Sequence, residues 1–199
     1  MIAIFQIVVL IFSVVIHEYM HGWMADHLGD NTARAAGRLT LNPLAHLEWF
    51  GSLLVPGLML LSGMPFIFGW AKPVPYNPYN LSDRRWGGAR VALAGPLANF
   101  VVALFFALVW RFMPFISLTF SGLIVLIVYI NLILMVFNLL PIPPLDGSKI
   151  LAPFLSTELR MKYLSLERFG FIFVILFAWL GFSYILPFIH FLFRLMAGA

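Results

Sequence analysis

Val14-Val15-Ile16-His17-Glu18-Tyr19-Met20-His21 is the stretch on which the reading of this chain turns. It is an HExxH motif inside an apolar run. On an α-helix, residues four apart are separated by about 40° of rotation, so His17 and His21 project from one face toward a common point. That is the spacing a zinc ion needs from two nitrogen ligands, and Glu18 lies beside it as a candidate base. The run begins near Ile2 and continues to about Met24, long enough to enter a bilayer. Three ionisable residues within five positions of an apolar helix cost free energy in lipid unless they face a protected site with partners. The stretch therefore predicts a metal site on a membrane helix.

Working outward, composition sets the class. The chain is 62% hydrophobic and only 10% charged, with 21 Phe, which suits lipid as the solvent. Its 199 residues predict a single domain over 1–199. There is no Cys, so a disulfide framework and a thiolate zinc site are excluded, and a metal must take His, Asp or Glu. The net charge of +4 is not a nucleic-acid signal, because the basic residues sit in the breaks between apolar runs. No Lys or Arg precedes Arg34 and no small-residue cleavage site ends the first apolar run, so that run is expected to remain as a membrane helix.

Four segments predict membrane spans: Ile2 to about Met24, Val91 to Trp110, Phe120 to Leu140, and Gly170 to about Phe193 with a kink at Pro187. A fifth, Gly51 to Gly69, is apolar but broken by Pro56, Gly57, Gly63 and Pro65. The expected fold is an all-α polytopic membrane protein of about four to six membrane segments, with a re-entrant or short-strand element after the first helix. Basic residues arbitrate the fifth segment. A full crossing splits the Lys and Arg eight to four, whereas a re-entrant path puts ten of the twelve on one side. The steeper bias favours re-entry, with the N-terminus outside and residues 22–90 and 141–169 cytoplasmic.

Two histidines need a third ligand. His27 has the spacing of an extended HExxHxxGxxH site, but Met24 stands where that pattern needs Gly. If the helix continues, His27 lies about 80° away from His17 and about 15 Å further along. Glu48 lies in a loop of no distinctive pattern. Asp146 is the better candidate, because it follows Pro141, Pro143 and Pro144 at the end of the third strong span. Those prolines prevent regular helix, and Gly147 permits an unusual backbone angle directly after the carboxylate. Two His and one Asp leave one tetrahedral position open for water, as in catalytic zinc sites.

HExxH in one membrane helix, with Asn138-Leu139-Leu140-Pro141-Ile142-Pro143-Pro144-Leu145-Asp146-Gly147 in a later one, resembles the site-2 proteases of peptidase family M50. Further stretches are similar to the compact bacterial branch: Gly37-Arg38-Leu39-Thr40-Leu41-Asn42-Pro43, Phe68-Gly69-Trp70-Ala71-Lys72-Pro73-Val74-Pro75, and Ala94-Gly95-Pro96-Leu97-Ala98-Asn99. The resemblance runs from about Val14 to Leu151. It implies an intramembrane zinc endopeptidase of the prokaryotic plasma membrane that cuts transmembrane segments of other proteins. It implies one Zn2+ per chain on His17, His21 and Asp146, with Glu18 as catalytic acid/base. Asn99 falls in the small-residue motif near the site and could steady an oxyanion, with helix packing as its other reading. Asn138 matches a position that holds the substrate backbone. Unlike larger members, residues 1–199 are expected to hold no PDZ or cystathionine-synthase-type regulatory domain.

The run Lys72-Pro73-Val74-Pro75-Tyr76 offers a rim for an extended substrate, since prolines suit a one-sided edge. Its plain alternative is a connecting loop. Two other functional classes compete with protease. A metal transporter would string several ionisable residues along a path, yet His190 alone adds to the site residues within a span. An inactive adaptor would be expected to lose the glutamate, and Glu18 is intact.

Overall fold

A computed structural model describes residues 2–62, 71–113, 117–170, 172–173, 176–177 and 181–198. Helices among these residues are α1 (Ile2–His27), α2 (Thr32–Ala35), α3 (Pro43–His46), α4 (Val55–Leu61), α5 (Gly87–Phe112), α6 (Leu118–Asn138), α7 (Asp146–Leu151), α8 (Thr157–Leu164) and α9 (Phe182–Ala197). Three of them are long and apolar enough to cross a membrane: α1, α5 and α6. The protein is all-α with three candidate spans among the described residues, where four strong ones were expected. The fourth expected span contains residues outside the described set. Its C-terminal part is the shorter apolar helix α9, which carries Pro187.

Why these residues form a bundle follows from what they bury. The outward face of α1 leaves Ile4, Phe12 and other apolar side chains exposed, as a lipid-facing helix does. Between α5, α6 and α9 the contact is made by Ala103 and Ala107 against Val128, Leu132, Met135 and Ile189. The two alanines are completely buried, and their small size lets the helices approach closely without a hydrophobic drive from water. Trp110 Nε1 donates to Ser121 Oγ at 2.8 Å and ties α5 to α6 near the opposite end.

The helices run antiparallel in sequence order. His21 of α1 meets Val91 of α5, while Ser13, two turns back, meets Asn99. At the same end Ser82 N donates to Leu28 O at 2.8 Å, and Ala25, Leu28, Leu81 and Val91 form a second small core. Residues 28 and 82 thus meet at one end of the bundle. Between them in sequence, Trp49–Leu54 and α4 are helical. The expected re-entrant segment Gly51–Gly69 lies in part outside the described residues, at 63–69.

No strand occurs among the described residues. Residues 71–77, which contain the expected rim 72–76, carry no regular secondary structure and no strand pairing. This strap is pinned by hydrogen bonds at its two ends. Lys72 N donates to His46 O at 2.9 Å, and Asn77 N donates to Asp30 Oδ2 at 2.6 Å.

Candidate metal centre

Because α1 stays helical through His27, His17 and His21 lie on one face, four residues apart. By helical rise His17 is about 15 Å from the His27 end, well inside the span. Each imidazole is held from behind. His17 Nδ1 lies 2.6 Å from Asn99 Oδ1, and His21 Nδ1 lies 2.7 Å from the Val91 carbonyl. A carbonyl only accepts, so His21 carries its proton on Nδ1. Asn99 Nδ2 donates to the Ser13 carbonyl at 3.2 Å and to Asn131 Oδ1 at 3.0 Å, which turns its oxygen toward His17. His17 therefore also carries its proton on Nδ1.

Both Nε2 atoms then present lone pairs, and they converge with Asp146 Oδ2. The three atoms form a triangle with sides of 2.9, 3.1 and 3.2 Å. Three acceptors packed this closely repel one another unless a cation lies between them. A tetrahedral zinc with bonds of about 2.0–2.1 Å sets its ligand atoms about 3.3 Å apart, so the donor set fits zinc. His17, His21 and Asp146 are the residues that could hold a metal among those described. His27 instead stacks on Trp23 with centroids 5.5 Å apart, and neither it nor Glu48 joins the group.

Two local expectations change. Asp146 does not sit on unwound backbone: it is the first residue of α7, with Leu145 as N-cap. The prolines end α6 and let the chain restart as a second short helix, whose first turn favours a carboxylate. Gly147 has no positive φ. What it supplies is space, since a Cβ there would lie 2.2 Å from the Leu139 carbonyl oxygen and 2.4 Å from that of Leu140. This close approach folds α7 back against the end of α6 and carries Asp146 to the histidines.

Asn99 is completely buried, and its amide is spent on His17, Ser13 and Asn131, an arrangement that fits the packing side of its two readings. Asn131 in turn donates to Ser13 Oγ and to the Ile127 carbonyl. Sequence reading missed this Ser13–Asn99–Asn131 network. The available signal was three small polar side chains in otherwise apolar helices, which must find one another in lipid.

Gly95 lies in the small-residue stretch that ends at Asn99. A Cβ at that position would lie 2.5 Å from His21 Nε2 and 2.7 Å from His17 Cε1. The imidazoles rest against bare backbone of α5, and Pro96, unable to donate to the Ala92 carbonyl, loosens the helix at the turn where Val91 accepts from His21. Gly95→Ala is expected to push both rings off the triangle and weaken zinc binding at least about 10-fold, the scale on which ligand-orienting contacts act. Gly88→Ala, on the same helix with open space around it, should leave zinc affinity unchanged. Zinc titration against a competing chelator compares the two.

A cavity of about 180 Å3 opens at this point. Glu18 lines it without joining the ligand triangle, and its Oε2 accepts from Val74 N at 2.8 Å. Asn138 lines it too, its Nδ2 bonded to the Leu134 carbonyl at 2.9 Å. Tyr76, the last residue of the expected rim, and Lys149 complete the polar lining, and Lys149 was not singled out from sequence. Lys149 was legible in principle, being three residues after Asp146 on one helix and hence on the same face.

Comparison with known proteins follows the same direction. The family model for peptidase family M50 matches residues 5–117 and 113–182. YwhC of Bacillus subtilis (strain 168) is 38% identical over 191 residues, covering 92% of this chain and 84% of that protein. Rip2 of Mycolicibacterium smegmatis is 34% identical over 169 residues, covering 82% of this chain and 62% of that protein. MJ0611 of Methanocaldococcus jannaschii is 33% identical over 156 residues, covering 74% and 72%. All three carry zinc-metalloprotease names. No solved structure gives a significant match. With three apolar spans and this family match, the chain is an integral membrane metalloprotease and belongs to peptidase family M50, the site-2 protease family.

Proposed function

We propose that the protein is an intramembrane zinc endopeptidase that cuts transmembrane segments of other membrane proteins, with one zinc held by His17, His21 and Asp146. The observation that carries this reading is the convergence of two imidazole lone pairs and a carboxylate inside a membrane helix, beside a cavity that Glu18 also lines. When bound, zinc supplies Lewis acidity and brings the pKa of water to about 7. Glu18 accepts the proton of the attacking water and delivers it to the leaving amide nitrogen. Asn99 and the Val91 carbonyl keep both imidazoles in the ligand tautomer. Asn138, Tyr76 and Lys149 face the substrate peptide, which must leave its helix before its carbonyl is exposed to attack.

The test is cleavage of a single-span protein in proteoliposomes. Wild type is expected to cut within the span, to lose activity to a zinc chelator and to recover it at about one zinc per chain. Zinc flux without any cleavage would move the assignment to transport.

The site opens on the cytoplasmic side of a prokaryotic plasma membrane in this reading, because ten of the twelve Lys and Arg lie in the segments at that end of the bundle. The chain has no Cys, so single cysteines report orientation cleanly. Cysteines at the exposed positions Tyr79 and Met161 should label from the cytoplasmic side, and one at Leu118 from outside. The reverse pattern would invert the topology.

A further inference from the structure

We infer that Asp30 is a positioning residue for Glu18, acting at a distance through the strap 71–77; this rests on the proposed role of Glu18 as acid/base. The reasoning starts from the strap's composition. In Pro73-Val74-Pro75 only Val74 has an N–H, and that N–H donates to Glu18 Oε2 at 2.8 Å. A slip of one residue along the strap, about 3.3 Å, would present a proline to the carboxylate and leave it without a donor. The orientation of Glu18 therefore depends on the strap's register.

Register is set at the strap's ends, and the C-terminal end is held by Asp30. This carboxylate is completely buried. Its Oδ2 accepts from Asn77 N at 2.6 Å, and its Oδ1 accepts from Asn80 Nδ2 at 2.9 Å, from Thr32 Oγ1 at 2.5 Å and from Thr32 N at 3.3 Å. No cation shares it: Arg34 pairs with Asp26, and Arg38 donates to the Lys72 carbonyl. Burial alone would raise its carboxyl, but the donors from Thr32, Asn80 and Asn77 outweigh burial and hold it below the ordinary carboxylate value. Asp30 thus stays charged, and two of its four donors come from the chain that carries Val74.

A purely local role would be an Asx-type turn with Thr32, which uses only Oδ1. Oδ2 is spent entirely on Asn77, three residues from Val74. Laterally the strap is seated by Val74 Cγ1, which would lie 2.9 Å from a Cβ at Gly22, one turn beyond Glu18 on α1. Gly22 sets how close the strap lies to α1, and Asp30 sets which residue stands opposite Glu18.

The test uses full-length zinc-loaded protein. Asp30→Asn removes the charge and turns an amide NH2 either to the Asn77 N–H or to the donors of Thr32 and Asn80, so in both orientations the grip on 77–80 should weaken. The kcat is expected to fall about 10- to 100-fold with KM within about threefold and zinc content unchanged, because misplacing a reacting group by about 1 Å costs on that order. The decisive reading is a cycle with Val74→Pro, which removes the donor to Glu18 itself. The double variant should be no slower than the slower single one, whereas multiplied losses would mean that Asp30 does not act through Val74. Amide exchange gives a second readout independent of proteolysis. Between residues 72 and 77 only Lys72, Val74, Tyr76 and Asn77 carry amides, and their exchange should quicken at least about 10-fold in Asp30→Asn. Unchanged exchange overturns the proposal even if no substrate is cut. Should Asp30→Asn fail to fold, Asn80→Ala at an exposed position removes one of the two grips, and the same cycle and exchange readings decide. Glu18→Gln run alongside separates the two claims. A fully active Gln variant removes the role of Glu18, whereas an inactive one with multiplying losses removes only that of Asp30.

Discussion

Glu18→Gln is expected to abolish peptide-bond cleavage while leaving zinc bound. The amide has nearly the shape of the carboxylate, but it cannot take a proton from the attacking water. General acid–base catalysis contributes about 10²–10⁴-fold, and in the proposed mechanism one residue serves both water activation and leaving-group protonation, so a loss of at least about 10³-fold is expected. Zinc should stay because Glu18 lies outside the ligand triangle: its carboxylate is turned to the Val74 amide, about 100° around α1 from His17. The measurement is cleavage of a single-span substrate with zinc determined in the same preparation. Undiminished cleavage would remove Glu18 from the mechanism. Loss of zinc together with cleavage would make it a ligand.

The parts of this site that sequence reveals are those fixed by periodicity. HExxH needs only helical geometry to bring two imidazoles together, and an apolar run supplies the helix. Asp146 was reachable because Pro141, Pro143 and Pro144 mark a break where a carboxylate can be redirected, although the break proved to be a turn between helices. What stayed hidden depends on contacts between helices. Nothing local distinguishes Gly95 as the surface on which the imidazoles rest, since its role exists only once α5 lies against α1. Asn99 looked available for an oxyanion because its burial comes from Ser13 and Asn131, more than thirty residues away in either direction. The strap reads as a proline-rich connection until Val74 is seen to donate to Glu18.

Asp146→Ala should cost the protein its zinc. Structural zinc sites with four protein ligands bind with about 10–16 kcal/mol, or about 3 kcal/mol per ligand, so loss of one ligand should weaken binding by about 10²-fold or more. No neighbour can replace it. His27 is stacked on Trp23, about 80° around α1 from His17 and about 15 Å further along, and the metal-capable group among the described residues contains nothing beyond His17, His21 and Asp146. The variant would retain two imidazoles whose tautomers are still fixed by Asn99 and Val91, so weak residual binding is expected rather than none. Asp146→Asn is the sharper comparison, because it keeps an oxygen near the triangle and removes only the charge. Its affinity should fall between wild type and Ala. The fold should survive both changes, since α7 also packs along α5 and does not depend on the carboxylate alone. Zinc per chain after dialysis against a chelator, with the zinc-dependent rise in melting temperature as a second reading, gives the order. Wild-type zinc content and activity in Asp146→Ala would place the third ligand elsewhere and undo the metal centre as assigned, because the triangle of acceptors would then have no cation to explain it.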